Sequence, residues 1–251
     1  MIMVTYAEYL DLAACLVVLF ALWIRRATWR YRWEQPKTIG LTLMAIGTLL
    51  KAPPISWLID RDVLHDLYLL VAHIFIVSGI AAFAYSAERK LRSDMEIRRW
   101  HVKFVVAPWA IGIVTMVSLF ATGAWTTLDH PTGLPAYTVA YWVAYDLLVV
   151  YFLVLFAYAL GYLLYDPPSR CTVGFYLVAV AVGLVGAACR ALMVTVDDNV
   201  ADPALSNIAN TTNGLAIMGF ALCSAFMWRR QLRALNSRKD DPSQPSVRNI
   251  T

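Results

Sequence analysis

Residues 137–162 read YTVAYWVAYDLLVVYFLVLFAYALGY, and this stretch decides the fold. Its single formal charge is Asp146, and it is longer than the roughly 20 apolar residues that cross a bilayer as a helix. Barrel strands would show short alternating segments separated by turns. None of that pattern is present here, so the stretch predicts a membrane-spanning helix.

Working outward, six more stretches have the same character: Tyr6 to Ile24, Thr38 to Ile59, Leu67 to Ser86, Phe104 to Ala124, Thr172 to Val194 and Leu205 to Trp228. The whole composition agrees. Of 251 residues, 60% are hydrophobic and only 15% charged, whereas a soluble domain carries about a quarter charged. Twelve Gly, eleven Pro and four scattered Cys exclude collagen-like, disordered and disulfide-scaffold classes. The expected fold is all-α, a polytopic membrane protein built as a seven-transmembrane-helix bundle over residues 1–230. A short basic tail, 231–251, follows, and its run from Ser237 to Pro245 predicts disorder.

The basic residues fix the expected orientation, because Lys and Arg concentrate in cytoplasmic connections. Arg25, Arg26, Arg30, Arg32 and Lys37 lie between the first and second stretches. Arg89, Lys90, Arg92, Arg98, Arg99 and Lys103 lie between the third and fourth, Arg170 between the fifth and sixth, and Arg229, Arg230 and Arg233 after the seventh. The other connections hold Asp60, Asp62, Asp66, Asp129, Asp197, Asp198 and Asp202, with Arg61 as the one base. The N-terminus is therefore expected outside and the C-terminus in the cytosol of a multi-pass plasma-membrane protein. Glu8 and Asp11, with no Lys or Arg before them, give the first stretch the wrong flank for a cleaved signal peptide. The net charge of +4 follows from this asymmetry and is not a nucleic-acid signal. The expected partners are the lipid bilayer, anionic lipid headgroups at the basic face, an unidentified small molecule, and a cytosolic or membrane protein partner.

Ionisable groups inside a spanning segment are costly and mark function or pairing. Here they are Asp11, Lys51, His73, Asp146 and Arg190, besides Glu8 at the wet edge. At a rise of about 1.5 Å per residue, all fall in the half of the bundle opposite the basic connections. Asn207, Asn210 and Asn213, at i, i+3 and i+6, add a polar arc on the seventh stretch in that same half. These eight residues are the expected lining of an outward-facing polar pocket. Asp146 and Arg190 are the expected ion pair, and Lys51 has Asp11 as a neighbour. Pro53 and Pro54 predict a break in the second helix, since each lacks an N–H. Ala179, Gly183 and Ala187 repeat at every fourth residue, the small-residue spacing that lets membrane helices approach closely.

Several chemistries lack their residues. There is no metal-site spacing among His65, His73, His101 and His130, no Walker loop and no dinucleotide fingerprint. The seventh stretch has no Lys to hold retinal, and Asp146 has no second Asp at its depth to form an aspartyl protease pair. No enzyme activity, metal or cofactor is expected.

The order of features resembles the seven-helix membrane half of an actinobacterial family described as transporters. The features are Gln35, Pro36 and Lys37 closing a basic loop; Leu50 to Pro54 followed by Asp60; His73 on the third helix; and Gly183, Gly186 and Arg190 on the sixth. The resemblance spans most of residues 6–228 and implies a transport-related role. Members of that family usually continue into a cytosolic domain, which this chain, ending about 23 residues after the seventh stretch, is expected to lack.

Two functions follow as expectations. One is small-molecule transport or ligand recognition at the pocket. The other is a membrane interaction protein, a receptor-like or accessory subunit or a phage-related exclusion factor, working through Arg89, Lys90, Arg98 and Arg99 on its basic face.

Overall fold

The computed structural model describes residues 6–52, 64–123, 136–167, 169–195 and 203–239. Every regular element among them is helical. In chain order they are α1 (Tyr6–Ile24), a 3-10 turn (Arg26–Arg30), α2 (Gln35–Lys51), α3 (Leu64–Glu88), α4 (Asp94–His101), a π-helical turn (Val102–Val106), α5 (Ala107–Ala121), α6 (Ala136–Leu163), α7 (Arg170–Thr195) and α8 (Pro203–Lys239). Among the described residues, five helices are long and apolar enough to cross a membrane: Leu67–Glu88, the continuous Met95–Ala121, Ala136–Leu163, Arg170–Met193 and Asn207–Arg233. α1 is apolar but shorter. The chain is an α-helical bundle of the membrane-embedded kind.

Six helices close into a ring. α1 packs on α2, α2 on α3, α3 on α6, α6 on α7, α7 on α8, and α8 returns to α1. α5 stands outside, against α6 and α3. It is held there by Trp109 Nε1 donating to Ser78 Oγ at 2.8 Å, while Tyr151 Oη on α6 donates to the Phe104 carbonyl at 2.9 Å. Three chain pieces, each reversing direction, thus bring the starts of α1, α3, α6 and α8 to one end of the ring together with the ends of α2 and α7.

Glycine permits a close backbone contact between α2 and α3. A Cβ at Gly40 would stand 2.9 Å from the Gly79 carbonyl oxygen, and one at Gly79 would stand 2.8 Å from that of Gly40. On the α7–α8 contact, Ala179 faces Gly219 and Gly186 faces Thr212 and Asn213, while Gly183 looks across to Leu153 of α6. The stripe Ala179, Gly183 and Ala187 is buried, as close helix approach requires.

The helix limits differ from the sequence expectation in three places, each for a local reason. The basic connection before the fourth stretch is largely helical, because Ser93 and Glu96 form a capping box that starts α4, and Ile97 and Trp100 are buried. α8 continues to Lys239, through the first part of the segment expected to be a disordered tail; Pro242 is the next residue that would stop it. α2 ends at Lys51, with Ala52 extended at φ −70° and ψ 145°, the conformation forced on a residue that precedes proline. Pro53 and Pro54 themselves lie outside the described residues.

Candidate functional site

Of the polar residues predicted from sequence, four form two ion pairs at one end of the ring. Arg190 Nε of α7 donates to Asp146 Oδ1 of α6 at 2.9 Å, and its Nη2 stands 2.8 Å from the same oxygen. Both residues are buried, 8% and 7% exposed. Lys51 Nζ at the end of α2 lies 3.4 Å from Asp11 Oδ2 on α1, and both of these side chains keep some exposure.

Between the two pairs sits a residue that the sequence did not single out for the site. Tyr145 is buried and carries the Arg190 guanidinium over its ring at 5.4 Å. It also packs on His73, with ring centroids 4.3 Å apart, and on Trp142, edge-on at 5.9 Å. The His73 Nδ1 and Tyr141 Oη share a 2.9 Å hydrogen bond, and Trp142 closes on His73 edge-on at 5.2 Å. His73 is therefore embedded in an aromatic nest, 3% exposed, one layer behind Tyr145.

Beside these groups, on the axis of the ring, lies a hollow of about 40 Å³, to which every ring helix contributes. Asp11, Lys51, Tyr145, Gly183 and Asn213 line it, with Phe220 at its floor. The volume holds a few water molecules, well short of the roughly 300–1,000 Å³ of a drug-sized ligand site. Asp146, Arg190 and His73 do not line it, although Arg190 and His73 both touch Tyr145, which does. Of the asparagine arc, Asn213 lines the hollow, Asn210 is half-buried and Asn207 is exposed. An arc spanning about 120° is wider than the strip of α8 that faces the axis. Glu8 has its side chain outside the described residues. Among the described residues, no three His, Cys, Asp or Glu gather as metal ligands.

Below the hollow the axis is sealed. Phe83, Phe156, Tyr176 and Phe220, from α3, α6, α7 and α8, each touch the other three, with ring centroids 5.3 to 6.1 Å apart. Single aromatics on four separate helices carry no sequence pattern that would announce this quartet.

At the opposite end of the ring the basic residues divide into two kinds. Arg98 and Arg99 are exposed on α4, Lys90 is exposed, and Arg89 Nη1 donates to the Arg32 carbonyl at 3.2 Å. Arg25, by contrast, is fully buried. It donates to Glu34 Oε2 at 2.6 Å and to the Ser224 carbonyl at 2.9 Å, tying the 3-10 turn and α2 to α8. Lys37 Nζ donates to the other oxygen, Glu34 Oε1, at 2.8 Å. Burial would raise the Glu34 pKa, but Lys37 and Arg25 beside it prevail and hold the carboxyl below its ordinary value. The positive-inside pattern counted Arg25 and Lys37 as loop charges and gave no sign of this buried network.

The fold and the site together define a class, a helical membrane protein with paired charges inside its bundle. No family model matches the chain, and no curated protein or solved structure is significantly similar to it.

Proposed function

We propose that this chain is a seven-pass plasma-membrane protein, N-terminus outside, that recognises and carries a small polar solute at the hollow on its ring axis. In this reading α1 and α2 complete the seven crossings with the five longer helices, and the end rich in Lys and Arg faces the cytosol. One observation carries the proposal. The Asp11–Lys51 pair lines, with Tyr145, a hollow framed by six helices, and the buried Asp146–Arg190 pair stands next to it, its guanidinium over the Tyr145 ring.

Static pairing alone would need only two helices per pair. Here the charges balance, so the unloaded site is neutral, and a solute bearing donors and acceptors of both signs exchanges partners with the looser Asp11–Lys51 pair. The hollow is the narrow state, with the aromatic quartet barring the way to the other face. Loading widens the ring above Tyr145, and passage across parts the quartet. The order of features by which the sequence resembles an actinobacterial transporter family points the same way.

The test is thermal stabilisation of the purified protein by a panel of small zwitterions, anions and cations. A solute that raises the midpoint in the native chain, and fails to do so in Asp146→Asn and Lys51→Gln, supports the site. Equal stabilisation in both variants places the binding elsewhere.

A second reading rests on Arg98 and Arg99, exposed on the capped helix α4, as a docking face for a protein partner. Charge removal at these two residues abolishes function in that case and leaves solute binding intact in the first.

A further inference from the structure

A second cavity, of about 270 Å³, lies on the other side of the aromatic quartet, at the basic end of the ring. Its inner walls are apolar and aromatic, with Phe83, Phe156 and Tyr176 turning their far sides to it. Lys37, Lys90 and Asp166 complete the lining, and exposed Lys90 and Asp166 mark its mouth.

The charge at this mouth is unbalanced. Glu34 is shared by Arg25 at 2.6 Å and Lys37 at 2.8 Å; burial and the neighbouring Lys90 pull the Lys37 pKa down to about 7, so the group carries up to one positive charge in excess, and an anion beside it favours the charged amine. Lys90 adds another. Asp166 is the one acid in the lining, and one of its oxygens is taken by the Ser169 hydroxyl at 2.6 Å.

The two halves of the cavity ask for different chemistry. A free inorganic anion satisfies the lysines and leaves the aromatic walls against water. A neutral chain fills the walls and leaves the cations unmatched. An anionic head on a hydrocarbon chain answers both, and basic pockets between membrane helices suit such headgroups.

We propose that this cavity binds an acidic membrane lipid, its phosphate held between Lys37 and Lys90 and one acyl chain lying against Phe83, Phe156 and Tyr176. The site depends on the chain residing in a membrane, but not on solute binding at the hollow, from which the quartet separates it.

The test uses the full chain in nanodiscs of phosphatidylcholine, with and without phosphatidylglycerol, read by native mass spectrometry and by the unfolding midpoint. Phosphatidylglycerol is expected to be retained on the protein in preference to phosphatidylcholine and to raise the midpoint. Lys90→Gln, an exposed position that leaves the Glu34 network whole, is expected to lower retention several-fold. Ala87→Leu, which fills the chamber without touching a charge, is expected to do the same. Asp146→Asn is expected to leave retention unchanged, which separates this proposal from the one for the hollow. Equal retention of the two lipids, or undiminished retention in both cavity variants, overturns the proposal. So does a midpoint rise of the same size from inorganic phosphate added to phosphatidylcholine discs, which would assign a free-anion site instead.

Discussion

Arg190 reaches across 44 residues of sequence to place its Nε 2.9 Å from Asp146 Oδ1, so α6 and α7 share one buried ion pair inside an apolar ring. Removing one partner strands the other charge. Each of Asp146→Asn and Arg190→Gln is expected to cost on the order of 3 kcal/mol, and the double variant is expected to recover part of that loss. Denaturation of the four proteins in mild detergent measures the coupling, and strict additivity would rule out an energetic link.

The Asp11–Lys51 pair is looser, at 3.4 Å with both side chains partly exposed. Its rupture by Asp11→Asn is expected to cost less than about 1 kcal/mol. The contrast between the two pairs, measured in the same denaturation series, separates a pair that holds the bundle from one free to exchange partners with a solute. Equal losses at Asp11 and Asp146 would remove that distinction.

Gly79 faces the Gly40 carbonyl so closely that a Cβ would stand 2.8 Å from it. Gly79→Ala is expected to force α2 and α3 apart, at a cost of about 1–3 kcal/mol. By contrast, Gly174→Ala, where nothing lies within 4 Å of the added methyl, is expected to be neutral or slightly stabilising, since Ala favours helix over Gly. The paired melting temperatures check this, and a harmless Gly79→Ala would mean the crossing is not held by backbone contact.

Glu34 sets an acid limit. Its carboxyl titrates below its ordinary value of 4.5 because Lys37 and Arg25 outweigh the effect of burial. A group whose folded pKa is depressed contributes stability that is complete above its ordinary value and fades as pH falls through the folded one. The native chain should therefore lose stability more steeply than Glu34→Gln below about pH 4.5, while the variant is the less stable of the two at neutral pH. Parallel profiles for the two proteins across that range would contradict the ion-pair network.

These relationships differ in how far the sequence announces them. Length and apolar content are properties of single segments, so the helices are legible from composition, and charge depth along alternating helices brings Asp146 near Arg190 before any coordinates exist. The capping box at Ser93 and Glu96 was also written in the sequence, yet the charged connection containing it reads as loop when periodicity alone is weighed. Tyr145, the aromatic quartet and the burial of Arg25 depend on which helix neighbours which in the closed ring. That is a long-range property, and single apolar or aromatic residues on four different helices carry no local mark of it. Asn207 shows the reverse case, in which a regular i, i+3, i+6 spacing extends past the face that the ring buries.

Asn213 lines the hollow, and its accessibility decides whether that hollow opens to the outside. In a chain with Cys15, Cys171, Cys189 and Cys223 replaced by Ser, Asn213→Cys can be treated with a small membrane-impermeant thiol reagent, from the outer face of intact cells and from the basic face of inverted vesicles. Modification from the outer face, slowed by any solute that stabilises the protein, is the predicted result. Modification from the basic face alone, or from neither face, would contradict a solute site that loads from outside.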